Sequence, residues 1–333
     1  MNKISIVIPC RNEANYIFGC IASVLNSDYP KELLEILVCD GRSDDGTQNI
    51  IHELSVKHSC IKYIENKEKI TSAGLNMGIK NAVGDIIMIL GAHAEIFPDY
   101  ISKCVDILSR NPEIGCTGGV LVNLTVDNSS EAIALAMSSP FGVGDAHFRT
   151  GNKDGYVDTV AFGAYKKEVF DKIGLFDEAL VRNQDDELNY RLLKSGYKIF
   201  LSTDIKAKYY VRSSLNKLFT QYYQYGYWKV FVNMKLHSIT TFRQLAPLLF
   251  VLFIITGTVA SMVSPIFFTA FIGTIGIYIM IGLISAMNKT KNPLIVFKIL
   301  LSFIVLHLSY GLGYLEGIFL LFIFGGNPGK TKK

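Results

Sequence analysis

The sequence predicts an α/β domain on a mostly parallel, Rossmann-like sheet, followed by C-terminal transmembrane helices. Three observations carry that expectation. Short β-branched runs alternate with helical patterns through the first 110 residues, which is how strand–helix units build a parallel sheet. The runs are nearly all apolar, as strands covered on both faces must be. From Leu245 to Phe324 the charges shrink to the "NKTKN" cluster, Lys298 and Glu316, so that half of the 333 residues are hydrophobic, a high share for a purely soluble chain.

The elements follow in order. "KISIVIP" precedes "ANYIFGCIASVLNS", "LEILVCD" precedes "TQNIIHELSVKH", "IKYIEN" precedes "SAGLNMGIKNAV", and "DIIMIL" precedes "DYISKCVDILSR". Asp44 and Asp45 ahead of the second helix, and Pro98 with Asp99 ahead of the fourth, are start signals. From Cys116 to Val211 the pattern is turn-rich, and "SSPFGVGDAHFRTGNKDG" reads as a long mobile loop over a site.

These elements make up a domain over residues 1–212. A segment over 213–244 follows, in which aromatics are set among Lys217, Lys229 and Lys235. An amphipathic helix at the membrane interface fits it, with Trp228 as anchor.

A membrane region over 245–324 holds apolar stretches at 245–263, 266–286 and 296–324, each near the ~20 residues that a span needs. With a cytoplasmic first domain, a hairpin turning at Ser264-Pro265 returns the "NKTKN" lysines to the cytoplasm, as the positive-inside rule prefers. A third span would carry the basic tail 325–333 outside, whereas the interruption "YGLGYLEG" suits a re-entrant or interfacial course. Two or three spans stay open. His307 and Glu316 are functional if buried in lipid and harmless if exposed.

Other classes recede. The net charge of +4 comes with no basic, aromatic-interleaved stripe outside the juxtamembrane segment, which argues against nucleic acid. The six cysteines all lie in the first 116 residues without CxxC pairs, as reduced core thiols do. The amino-terminal apolar run is too short for a signal peptide, which places the domain in the cytoplasm beside the inner (plasma) membrane. No GxGxxG turn follows a strand, which removes the dinucleotide oxidoreductases.

Chemistry gathers where strands end. "SIVIPCRNE" and "VCDGRSDDGT" close the first two strands in polar turns, at the edge where open α/β sheets bind ligands. Asp40 can accept from a uracil imide N–H or from ribose hydroxyls, while Asp44 and Asp45 serve equally well as helix caps. In "NQDDE" the acids Asp185 and Asp186 suit either a helix start or a general base.

Four stretches in order, "SIVIPCRNE", "CDGRSDDGT", "ENKEKITSAGLNMGIKNAVGDIIMIL" and "FGAYKKEVFDKIGLFDEALVRNQDDELNYRLLKSGYKI", resemble family 2 glycosyltransferases, which have the nucleotide-diphospho-sugar transferase fold. With "HLSYGLGYLEGI" they resemble in particular the membrane-anchored glucosyltransferases of succinoglycan biosynthesis. The resemblance implies a UDP-glucose-like donor, Mg2+ or Mn2+, and inverting transfer of a hexose to a polyprenyl-diphosphate-linked saccharide, in extracellular or capsular polysaccharide biosynthesis. It implies donor contacts at Pro9, Arg11, Glu13, Asp40, Asn66 and Ala92, and a catalytic base at Asp185 with Asp186 in reserve.

One position departs from the family. Where relatives carry Asp-x-Asp or Asp-x-His, the chain reads Gly91-Ala92-His93. His93 takes the place of the second metal ligand, and Gly91 offers none. Either His93, diphosphate oxygens, waters and Glu95 hold the metal, or donor binding leaves the leaving-group charge to Arg11, lysines and N–H groups, or catalysis is lost and the protein is a non-catalytic nucleotide-sugar-binding or scaffold subunit. The retained Asp185 and Asp186 favour an enzyme. "QYGYW" at 224–228 is similar to the Q-x-x-R-W motif of processive synthases, with Tyr227 at the arginine position.

Overall fold

A computed structural model describes residues 2–125, 128–323 and 325 of the chain. Apart from Gly325, the tail expected over 325–333 lies outside the described residues. The elements are β1 (Ile4–Cys10), α1 (Ile17–Leu25), β2 (Leu34–Asp40), α2 (Thr47–Lys57), β3 (Ile61–Glu65), α3 (Thr71–Asn81), β4 (Ile86–Ile89), β5 (Ala94–Ile96), α4 (Tyr100–Arg110) and β6 (Ile114–Leu124). Then come α5 (Asn128–Met137), α6 (Pro140–Val143), α7 (His147–Thr150), β7 (Gly155–Val157), β8 (Ala161–Lys166), α8 (Lys167–Ile173), α9 (Gln184–Lys194), β9 (Lys198–Tyr210), α10 (Leu215–Lys235), α11 (Ala246–Ser261), α12 (Pro265–Met287) and α13 (Pro293–Gly317).

Met1–Val122 and Gly151–Tyr210 form one compact unit. Its sheet runs β3-β2-β1-β4-β8-β6-β9-β5, with β7 on β9. The pairs β1–β2, β1–β4 and β2–β3 are parallel, as the alternating pattern predicts. Beyond β4 the pairs β4–β8, β6–β8, β5–β9 and β7–β9 are antiparallel, so the sheet is mixed rather than mostly parallel.

The stretch from Cys116 that reads as irregular holds β6, β8 and β9. Along β9, Ile199, Leu201, Ile205 and Ala207 are buried between more exposed neighbours. A half-buried antiparallel strand dilutes its apolar residues with polar ones, which hides it beside the solid runs of β1 and β2.

Asn123–Thr150 and Val211–Lys333 form the second unit, so the expected domain boundary at 212 is crossed by an earlier insertion. The physical reason is apolar packing. The segment expected as a mobile loop folds into α6 and α7, and the Phe141 ring lies 4.9 Å from Phe303, 5.3 Å from Tyr278 and 5.4 Å from His307.

Three helical stretches, Phe242–Ser261, Pro265–Met287 and Pro293–Leu320, are long and apolar enough to cross a membrane; 11%, 6% and 44% of their apolar windows are buried. The "YGLGYLEG" stretch does not break α13. A side chain at Gly313 would strike the Tyr223 carbonyl of α10, and one at Gly226 the Tyr310 carbonyl of α13. These glycines form a seam of close helix approach, the usual role of small residues between apolar helices.

On α10, Trp228 and Lys229 are only 2% and 1% exposed, so the expected anchor ring packs within the protein. His307 and Glu316 of α13 are both hydrogen-bonded. His307 Nε2 donates to the Phe141 carbonyl at 2.9 Å, and its Nδ1 accepts from the Tyr278 hydroxyl at 2.7 Å, since a carbonyl can only accept. Glu316 accepts from the Tyr223 hydroxyl.

Candidate active site

Parallel β1, β2 and β4 bring their carboxyl ends to one edge, and the register pairs Cys10 with Asp40 there. The two turns that follow are laced together. The N–H groups of Asn12, Glu13 and Ala14 donate to Ser43 Oγ at 2.8 Å, Thr47 Oγ1 at 2.9 Å and Asp45 Oδ2 at 3.1 Å, while Asp44 N–H returns a bond to Asn12 Oδ1 at 3.1 Å. Asn12 adopts the left-handed region at φ +57, which asparagine tolerates. Asp45 also accepts from the N–H of Thr47, the first residue of α2, at 3.1 Å, as a helix-start acid should.

Asp40 is fully buried. Its carboxylate accepts from Ser43 N–H at 3.0 Å, the Ser43 hydroxyl at 2.5 Å and Gln48 Nε2 at 3.0 Å. It holds the β2–α2 turn in shape. The nearby Tyr63 phenol is raised by burial and by the Asp40 charge, so it stays a donor. Pro9 is half-buried on β1, and Arg11 is exposed just beyond it. Asn66, after β3, is buried; its Nδ2 donates to the Ile70 carbonyl at 2.8 Å, and its Oδ1 has no hydrogen-bond partner among the described residues.

At the end of β4, Ala92 is buried and His93 reaches back to β1. His93 Nδ1 lies 3.3 Å from Glu13 Oε1, with both side chains about a quarter exposed (27% and 22%). The His93 ring also packs on Tyr209 at 5.4 Å. Glu95, on β5, is turned to β9: Lys208 Nζ donates to it at 3.1 Å and Tyr210 OH at 2.9 Å. That second bond raises the Tyr210 phenol above its ordinary value.

The Gly91 position has a neighbour that sequence reading does not supply. A Cβ there would sit 3.1 Å from Phe162 Cε1. Phe162 itself has φ +49, a strain of about 1–3 kcal/mol for a bulky residue.

Asp185 and Asp186 occupy the first turn of α9, entered through Asn183 at φ +58. Asp185 is exposed and Asp186 half-buried. The third acid, Glu187, is buried against Arg191 at 2.7 Å, and Arg191 also donates to the Leu175 carbonyl at 2.8 Å.

A buried relay fixes the helix: Tyr165 OH donates to Asn189 Oδ1, and Asn189 Nδ2 to Thr159 Oγ1, both at 3.0 Å. Burial pushes the Tyr165 phenol well above its ordinary value, and the Asp185 charge adds to this. The chain leading into α9 is clamped by α3. Asn76 exchanges two 2.9 Å bonds with the Phe176 backbone, and Ser72 Oγ donates to the Leu180 carbonyl at 3.1 Å.

The first two turns and the β4 loop thus come together, with Glu13 and His93 in contact, and α9 carries Asp185 on a separately braced element. Sequence reading passes over Ser43, Gln48, Phe162, Tyr165 and Asn189. Only Asn189 leaves a trace, one helical turn after Asp185 on the same face.

The donor set fits a divalent cation. Glu13 and His93 supply an oxygen and a nitrogen, and Mg2+ sites commonly take their other ligands from phosphate and water. No cluster of three or more His, Cys, Asp or Glu side chains forms among the described residues.

The model of the family described as Glycosyl transferase family 2 matches residues 5–174. The dolichyl N-acetyl-alpha-D-glucosaminyl phosphate 3-beta-D-2,3-diacetamido-2,3-dideoxy-beta-D-glucuronosyltransferase of Methanococcus voltae is 32% identical over 326 residues, covering 96% of this chain and 98% of that one. Succinoglycan biosynthesis protein ExoA of Rhizobium meliloti is 32% identical over 248 residues, covering 73% of this chain and 74% of its own. The mannosyltransferase PcManGT of Pyrobaculum calidifontis, solved with GDP-Man and Mn2+, shares the fold at TM-score 0.53 and 17% identity, over 98% of this chain and 77% of its own. An α/β sheet with its loops gathered at one strand edge, an acid pair starting a braced helix and these matches lead to one conclusion: the chain belongs to glycosyl transferase family 2 and is a glycosyltransferase.

Proposed function

We propose that this glycosyltransferase moves a hexose unit with inversion from a UDP-glucose-like donor to a saccharide carried on a polyprenyl phosphate or diphosphate, in the assembly of a cell-surface polysaccharide or glycan. The carrying observation is the exposed Asp185 carboxylate in the first turn of a helix braced by Tyr165, Asn189 and Thr159. Asp185 takes the proton of the acceptor hydroxyl. The hydroxyl oxygen bonds to the anomeric carbon as the carbon–diphosphate bond breaks on the opposite face, and that inverts the centre. Asp186 stands in reserve.

Pro9, Arg11, Glu13, Asp40, Asn66 and Ala92 frame the donor; Asp40 does so through the turn that it shapes. Glu13 and His93 would hold a Mg2+ or Mn2+, which when bound would neutralise charge at the leaving diphosphate. The Methanococcus relative is named for a dolichyl-linked sugar phosphate and the Rhizobium relative for succinoglycan, which supports a lipid-borne acceptor and a polysaccharide product. With the first unit on the cytoplasmic side of the plasma membrane, tethering raises the effective concentration of such an acceptor. The non-catalytic scaffold reading rests on Gly91, and Phe162 gives that glycine a packing role.

Asp185→Asn is the test. Transfer is expected to fall by about 10²–10⁴-fold while calorimetric UDP binding stays near wild type; equal loss of both removes Asp185 from the base role.

A further inference from the structure

At the carboxyl end of β4 a glycine faces an aromatic ring held on a strained backbone. A Cβ at Gly91 would meet Phe162 Cε1 at 3.1 Å and Cζ at 3.7 Å. Phe162 keeps φ +49, a region that bulky side chains avoid. Its conformation is pinned, because the fully buried Tyr100 hydroxyl bonds to the carbonyls of Ala161 and Phe162 at 3.1 and 3.0 Å. Beside it, the β6–β8 register shifts between Thr117 and Gly119. Strain of this kind persists where the surroundings over-determine it, and it concentrates where ligands are held.

The β4–β8 pairing ends at Met88 and Ala164, and Phe162 lies just beyond, on the edge that also carries His93 and Glu13. Its side chain is only half-buried. The ring packs on the core with one part, and the part left exposed suits the C–H face of a sugar, because binding sites orient ligands with a few polar groups against an apolar wall.

We propose that Phe162 is a specificity-determining residue of the donor site, whose ring takes the space of a side chain at position 91 and gives the bound nucleotide sugar an aromatic wall for one of its sugar rings. This rests on the donor reading above. Gly91 is then the clearance that the ring requires. Ribose and the transferred hexose present the same chemistry to it, and the ligands used in the test separate them.

The test uses the full-length protein in detergent, as wild type, Gly91→Ala, Phe162→Leu, Phe162→Ala and the Gly91→Ala/Phe162→Ala double variant. Phe162→Leu keeps bulk and loses the aromatic face. Calorimetry should find its binding about tenfold weaker, for both UDP and UDP-glucose if the ring meets ribose, and for UDP-glucose alone if it meets the hexose. Thermal unfolding without nucleotide should show that Gly91→Ala lowers the melting temperature of wild type but not of Phe162→Ala. Wild-type affinity of Phe162→Leu for both ligands overturns the proposal, as does an equal Gly91→Ala penalty in both backgrounds. Failure of wild type to bind either ligand overturns the donor reading and this assignment with it, whereas normal wild-type binding with an unaffected Phe162→Leu overturns this assignment alone.

Discussion

Two buried carboxylates show what single residues reveal and conceal. Asp40 is legible as a strand-end acid, but its partners Ser43 and Gln48 depend on how the following turn closes, which no spacing rule gives. Glu35 is hidden altogether in the apolar run of β2, although it is buried and bonded to Lys62 at 2.7 Å, Ser5 at 2.5 Å and Val83 N–H at 3.0 Å. Burial raises its carboxyl, yet these bonds outweigh burial and hold it below the ordinary value. A depressed folded value means stability that is present above the unfolded carboxyl value of ~4.3 and lost as pH falls through the folded one. Thermal unfolding between pH 3 and pH 6 should therefore steepen toward acid in wild type and less so in Glu35→Gln. His93 is legible by motif, and its contact with Glu13 makes a matching prediction: His93→Ala should lose any Mn2+-dependent strengthening of UDP binding in calorimetry and keep the metal-free part.

Elements are legible in proportion to how unbroken their apolar runs are. Strands β1, β2 and β4 announce themselves as solid apolar runs, while β9 alternates and β6 and β8, although largely buried, are interrupted by Gly115, Gly118, Gly119 and Gly163 and read as loop. Glycine misleads in α13, because it weakens a helix in water yet permits close contact between packed helices. The seam is open to test. Gly313→Leu or Gly226→Leu should destabilise the protein by about 1–3 kcal/mol or more, as overpacking does. Gly273→Leu on α12, where an added Cβ meets nothing within 4 Å, should be neutral or stabilising. Melting curves in one detergent compare all three, and equal losses would remove the seam.

Over the whole molecule, composition foretells a polar part and an apolar part but not that Asn123–Thr150 joins the latter, because that membership rests on aromatic packing around Phe141. Cysteine placement is clearer. Cys10, Cys20, Cys39, Cys104 and Cys116 are buried and Cys60 is partly exposed. Burial pushes the Cys39 thiol up to about 12 and raises Cys10, Cys20, Cys104 and Cys116 well above the ordinary thiol value, which suppresses the reactive thiolate. A maleimide at neutral pH should label at most Cys60 in the folded protein and all six after denaturation.

The 44% burial of the third apolar helix, against 11% and 6% for the first two, bears on the parity of the chain. Its start lies beside Lys289, which donates to the Ser138 carbonyl, and its end meets Tyr223 on a helix that also carries Lys217, Lys229 and Lys235. Leu294, Phe297, Leu312 and Phe319 remain exposed along it. A helix of this length and apolarity can span a bilayer, and its own neighbours cover the flank that lipid would otherwise meet. If it goes through, the crossings number three and the two ends of the chain face opposite compartments; if it turns back, they number two and the ends face the same one. A protease-cleavable tag after Lys333 cut from the side opposite to one before Met1 means that the helix goes through, and cutting from the same side means that it turns back.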